Sequence, residues 1–304
     1  MNVAKENVAV LFISGQSNAH AHQQCVEESE RIVQPMKNVF GLGRNPNQSF
    51  DITDVVWSGF TGEGKNLGET QDHTYSLAYY VAKRWQRDID EGKPLPDLYI
   101  VQISIGSQGI INGMWNSDKE QILKPGTLNN VDISLYPLAL KINELAISNL
   151  KKSGKNPIVI GWHWIGSEQD VRKGGFDRED FLKRYDDFFD SMLQSIGEPC
   201  PLYLYKLYLE KYFAPMKNAI INIQAVNDAL YRQCTRYKEV HYIESENSPH
   251  WDETDAHNGI FAEDNAHYLA KVQKWFADSF FEILEKKYNF KKEQTEDADN
   301  TEVG

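Results

Sequence analysis

A chain of 304 residues, 41% hydrophobic and 25% charged, has the composition of an ordinary globular protein and is long enough to bury a large core. Its formal charge of −12, from 44 acids against 32 bases, argues against a nucleic-acid phosphate track or an anionic membrane surface as partner. Three scattered cysteines, Cys25, Cys200 and Cys234, are too few for a disulfide framework or a zinc site and are compatible with a reducing compartment, with one disulfide left open.

No stretch approaches the ~20 apolar residues of a membrane span. The first apolar run, residues 8–13, is too short for a signal peptide and runs straight into a polar turn. The expected location is therefore cytoplasmic, unless a leader was removed or export is non-standard.

Taken in order, residues 8–13 read as one buried strand, mostly β-branched or large and apolar, stopped by Gly15-Gln16-Ser17-Asn18. A strand tip in an α/β sheet is where ligands gather, so Ser17 is placed to present its hydroxyl. The pair His20/His22 invites a metal reading, but i,i+2 residues do not share a helix face and no nearby carboxylate or cysteine set completes a site. Their expected place is the pocket rim or the surface. Residues 36–43 suggest a second short strand. Residues 45–72 are rich in Gly, Asn, Asp and Thr and carry Trp57 and Phe60, the pattern of a substrate-facing loop.

Asp72 or Thr74 can cap a helix whose stripe is Leu77, Ala78, Val81, Ala82 and Trp85. Residues 98–105 form the next strand and end at Gly106-Ser107-Gln108-Gly109. A helix marked by Leu138, Ile142, Leu145, Ala146 and Leu150 leads to a third strand at 157–164, which ends in Gly166-Ser167-Glu168-Gln169-Asp170. Further helix–strand pairs follow: a helix over 181–196, a strand at 202–207, a helix over 220–231 and a strand at 240–243. The final helix is expected to open near Asp264 and to bury Leu269, Val272, Phe276, Phe280 and Leu284. Strands ending in Gly-rich corners and separated by helices predict a parallel sheet covered on both faces. Residues 1–290 read as one domain. Residues 291–304 read as a disordered acidic tail, since 293–304 hold five acids and no base.

A serine hydroxyl needs a base, and an imidazole serves best when a carboxylate fixes its tautomer. Asp264-x-x-His267 offers both in one short segment. Asp255-x-His257 is the rival, with His257 assigned to the pocket wall.

These residues resemble the first and last blocks of the SGNH/GDSL hydrolase superfamily, within it the sialate O-acetylesterase and acetylxylan esterase group, whose serine motif is Gly-Gln-Ser-Asn. The resemblance extends to Ile105-Gly106-Ser107-Gln108-Gly109-Ile110 and to Trp164-Ile165-Gly166-Ser167-Glu168-Gln169-Asp170, in family order. It implies an α/β fold, a three-layer α/β/α sandwich with a parallel flavodoxin-like sheet. It implies Ser17 as nucleophile, His267 as base and Asp264 as its orienter, with the N–H groups of Ser17 and of Gly106 or Ser107 as oxyanion hole. Gln16, Asn18, Gln108, Glu168 and His257 are the candidates for substrate contact. No metal or organic cofactor is implied. The expected substrate is acetylated carbohydrate, sialic acid or xylan-type.

The chain departs from the family pattern in two blocks. Gly166 stands where the family has Gln, and Ser107 and Ser167 replace glycines. That Gln is the expected third oxyanion donor, and losing such a donor costs roughly 10²–10³ in turnover. Gln108, His163 and Gln169 are the nearby substitutes. Two alternatives stay open: a carbohydrate-binding protein on the same fold with weak or no catalysis, suggested by Trp57 and Trp115, and an esterase for lipid or short acyl esters.

Overall fold

The computed structural model describes residues 6–42, 53–61, 67–68, 73–111, 113–117, 126–128, 131–172 and 177–288. The acidic tail and most of the 45–72 segment lie outside them.

Ten strands are present among these residues: β1 (Glu6–Gly15), β2 (Val39–Leu42), β3 (Trp57–Gly59), β4 (Leu67–Gly68), β5 (Leu98–Ser104), β6 (Gly126–Leu128), β7 (Val131–Ile133), β8 (Lys155–Ile165), β9 (Leu202–Tyr205) and β10 (Val240–Ile243). The main sheet runs β10-β9-β8-β1-β5-β2-β3, with β4 also pairing β5, while β6 and β7 form a separate two-stranded antiparallel sheet. All neighbours in it are parallel except β2 and β3. Strands β5-β1-β8-β9-β10 reproduce the flavodoxin-like order 2-1-3-4-5, in which ligands sit beyond the carboxyl ends beside the first strand. The central strand β1 is buried continuously from Val8 to Gly15 because β5 and β8 flank it and helices cover both faces.

The helices are α1 (Leu77–Asp90), α2 (Leu135–Lys152), α3 (Glu168–Val171), α4 (Arg178–Ile196), α5 (Glu210–Phe213), α6 (Ala219–Arg236) and α7 (Ala270–Tyr288). Helices α1 and α7 pack together on one face; α2, α4 and α6 pack in a row on the other. The sheet covered by helices on both faces that the alternation predicts is therefore the observed one, with β3 as an antiparallel edge strand. Asp177 caps α4 by accepting from Glu179 N and Asp180 N, and Gly197 at φ +68° closes it, because a residue with a Cβ pays a steric cost in that left-handed turn.

Several local expectations change. The cap of α1 is Ser76, whose hydroxyl accepts from Tyr79 N, while Thr74 spends its hydroxyl on His20 O. The final helix starts at Ala270, not near Asp264: residues 262–267 form a tight turn with Asn265 at φ +57°, closed by the Phe261–Tyr268 bridge. Phe60 is buried, and Trp57 is half-buried, donating to Asn149 Oδ1 and packing edge-on against Tyr99. Trp115 is fully buried, donates to Gly15 O and packs against Trp164 and Phe188. These three rings are structural packing, so they form no exposed stacking platform. All three cysteines are free. Among the described residues no helix is long and apolar enough to cross a membrane, and no cluster of three or more His, Cys, Asp or Glu is arranged to hold a metal.

Candidate active site

The register brings three corners to one level: Gly15 pairs with Ser104 at the end of β5 and with Ile165 at the end of β8. Gly15 sits at φ +147°, and a Cβ there would come within 1.9 Å of Ile165 O, so only glycine lets β1 turn against β8. The chain then enters the 3₁₀ turn Ser17–His20, which carries Ser17 to the rim of a cleft of about 70 Å³. Gln16, Ser17, Asn18, Ser107, Glu168, Gln169, Arg172, Leu209, Tyr212, Phe213, Ala266 and His267 line it. Residues from all four corresponding blocks thus meet, although they lie up to 250 positions apart.

The 262–267 turn holds His267 over the cleft. Asp264 Oδ2 lies 2.5 Å from His267 Nδ1, while Asp264 Oδ1 accepts from Ala266 N at 2.9 Å and His267 N at 3.0 Å. Burial pushes the Asp264 carboxyl up, but those hydrogen bonds more than offset it and leave the group below the usual carboxylate range. An ionised carboxylate on Nδ1 fixes a protonated Nδ1, so that Nε2 is the basic nitrogen.

The histidine pair is not at a rim or in solvent as a unit. His20 is 2% exposed, with Nδ1 on Ser104 Oγ at 3.2 Å; burial, then the neighbouring His22 and His267, lower its pKa to about 3. His22 is half-buried, its ring 4.8 Å from that of His267, centre to centre. Nothing in the sequence marked this packing, since it needs the fold to close residues 22 and 267 together.

The other candidates separate. Asn18 is 2% exposed and bonds Glu168, Ala266 and Tyr268. Glu168 is buried, with Oε1 accepting from Asn18 Nδ2; burial raises its pKa, and the Asn18 bond only partly opposes this. Gln108 faces away: its Oε1 accepts from Met114 N and its Nε2 reaches Gly106 O. His257 meets Asn265 Oδ1 behind the turn and, like Gln108 and Gly106, does not line the cleft. Asp170 is fully buried, accepting from Ile110 N, Ile111 N and Tyr185 OH, and so ties the Gly106–Gly109 corner to the end of β8. Sequence reading missed Arg172, Leu209, Tyr212 and Phe213. Arg172 follows the third block by only two residues, which was the one available signal.

The glycine replacements have different consequences. Ser167 sits at φ +88° but its hydroxyl accepts from Trp164 Nε1, an offsetting bond inside the core. Ser107 sits at φ +60° on the exposed cleft rim. A side chain in that region costs roughly 1–2 kcal/mol. Ser107→Gly is therefore expected to raise stability in urea unfolding by about 1 kcal/mol. At Gly166 a Cβ would lie 3.1 Å from the Trp164 ring and 3.3 Å from Gly15 Cα, which leaves little room for a glutamine. Of its possible substitutes, His163 is buried against Tyr203 and bonded to Tyr205 OH, whereas Gln169 lines the cleft.

No protein-family model and no curated protein matches the sequence. Solved structures do. NanS superposes with a TM-score of 0.57 at 13% identity, covering 93% of this chain and 99% of its own. A protein from Arabidopsis thaliana gives 0.56 at 12% identity, with 90% and 98% covered. A carbohydrate acetylesterase from Xanthomonas citri gives 0.51 at 14%, with 88% of this chain but 55% of that longer one. The fold, a mostly parallel sheet with helices on both faces, is shared with these structures. At such identities the likeness speaks for the fold alone, and the strand order explains why the chemistry-bearing residues collect at the β1, β5 and β8 tips.

Proposed function

We propose that this protein is a serine esterase that removes acetyl groups from O-acetylated carbohydrate. The observation that carries the reading is Ser17 sharing one small cleft with a His267 whose Nδ1 is held by Asp264. Ser17 Oγ attacks the ester carbonyl carbon and its proton passes to His267 Nε2. The N–H groups of Ser17 and Ser107 receive the oxyanion, and Gln169 is the candidate third donor. The C–O bond then breaks, the sugar oxygen leaves with the proton from His267, and water activated by the same imidazole releases acetate.

The cleft volume of about 70 Å³ favours acetyl over long acyl chains, since pockets enclosing drug-sized ligands run to roughly 300–1,000 Å³. The acetylesterase among the structural neighbours agrees with that choice. A chain-length series of p-nitrophenyl esters, with fluorophosphonate labelling of Ser17, tests the reading. Turnover should fall steeply beyond acetate; no hydrolysis and no labelling would reject it in favour of a binding protein.

Arg172 bears on the choice between neutral and acidic sugars. Among the described residues that line the cleft it is the one cationic side chain apart from the imidazole, and its guanidinium donates to Tyr212 OH at 2.5 Å. A charge-assisted hydrogen bond contributes roughly 1.5–3 kcal/mol. Arg172→Ala is thus expected to raise KM about tenfold for an acetylated sugar acid, and much less for acetylated xylose oligomers. Equal effects on both would remove the case for an acidic substrate.

A further inference from the structure

Asn18, beside the serine, makes more long-range side-chain contacts than any substrate-binding role requires. Its Nδ2 donates to Glu168 Oε1 at 2.8 Å and to Ala266 O at 3.0 Å, while Oδ1 accepts from Tyr268 N at 3.0 Å. Its main-chain oxygen also accepts from Gln273 Nε2 at 2.8 Å, tying the serine turn to the first turn of α7. The partners settle which end of the amide is which: two acceptors demand the NH₂ group and a backbone N–H demands the carbonyl. Both Nδ2 hydrogens are thereby used, and the residue is only 2% exposed.

Ala266 and Tyr268 are the residues immediately before and after His267. Hydrogen bonds on both sides of one residue fix the position and direction of its backbone. Within the turn, Asp264 sets the orientation of the imidazole ring. Relative to Ser17, which follows a different strand 250 residues earlier in the chain, nothing in the turn itself sets its distance.

We infer that Asn18 is a positioning residue that holds the His267 turn in register with Ser17, with Glu168 fixing the direction of the Asn18 amide; this rests on the esterase reading above. Base and nucleophile must meet at hydrogen-bond distance, and a misplacement of about 1 Å costs roughly 10²-fold in rate.

The test is p-nitrophenyl acetate kinetics and fluorophosphonate labelling on the full chain, with circular dichroism to verify folding. Asn18→Ala is expected to lower kcat about 10²-fold, leave KM within about twofold, and slow labelling of Ser17 in parallel. A kcat equal to wild type, or a raised KM at unchanged kcat, overturns the inference, the second in favour of substrate contact. Asn18→Asp provides the second arm should Asn18→Ala fail to fold. It places an oxygen opposite Glu168 Oε1 and Ala266 O, and Asn18→Asp/Glu168→Gln supplies an amide N–H to face that oxygen. Recovery of kcat by at least about fivefold over Asn18→Asp supports the clamp, and no recovery overturns it. A wild-type protein with neither turnover nor labelling overturns the esterase reading, and this inference with it.

Discussion

Ser17→Ala and His267→Ala are each expected to lower turnover of p-nitrophenyl acetate by about 10⁴-fold or more, with the circular dichroism spectrum unchanged. The first removes the attacking oxygen, the second the only imidazole lining the cleft beside it. Neither change opens a large void, because Ser17 contributes one oxygen and His267 lies at the cleft surface, so stability should hardly move. Asp264→Asn is expected to lose nearly as much activity, since an amide NH₂ turned toward Nδ1 favours the tautomer with the wrong nitrogen basic. Activity of Ser17→Ala equal to wild type would refute the covalent mechanism.

Stability in urea is expected to fall as pH drops from 6.5 toward 3, by about 5 kcal/mol at pH 4.5 for two rings together. His20 and His163 are 2% and 0% exposed, and burial holds the pKa of each at about 3. The unfolded chain binds a proton on each ring below about 6.5, whereas the folded chain does not until about pH 3. The unfolded state is therefore the better proton binder between those limits. Each ring contributes its full stabilisation above pH 6.5 and loses about 1.4 kcal/mol per pH unit below it. Glu168, raised by burial, acts in the opposite sense over its own range and offsets part of the loss. His163→Gln isolates one ring: its plot of unfolding free energy against pH should be shallower than that of the wild type by about one proton. Parallel plots would show that His163 is not a source of the acid sensitivity.

His163 also illustrates what local sequence conceals. It stands in the third strand among apolar neighbours, and only the pairing of β8 with β9 puts its ring flat against Tyr203, 4.3 Å between centres. Proximity in sequence to the third block made it a candidate oxyanion donor, but alternation along a strand turns successive side chains to opposite faces. The His163 ring packs among Tyr203, Tyr205 and Phe280, while its neighbours Trp162 and Trp164 pack against Phe188, and the corner begins only at Gly166. Gln108 misled in a similar way, because its two ends are satisfied within its own loop.

The glycine substitutions were visible as departures, but their cost was not. Ser107 and Ser167 carry similar left-handed backbones, yet one has a buried indole partner and the other faces the cleft. Likewise the aromatic residues Trp57, Phe60 and Trp115 suggested a sugar-facing surface by composition. Burial and their hydrogen bonds assign them to packing.

By itself the sequence determined the alternation of strands and helices, the strand tips at Gly15 and Gly166, and the residue types around Ser17 and His267. These are legible because hydrophobic periodicity and turn chemistry are local, set by neighbours within about a dozen positions. Tertiary structure alone decided that Asn18 spans to both sides of His267, that Glu168 lies against Asn18, and that Arg172 and Tyr212 share the cleft rim. Those contacts depend on strand order and register, which place residues 150 to 250 positions apart within hydrogen-bond distance and leave no trace in any one segment.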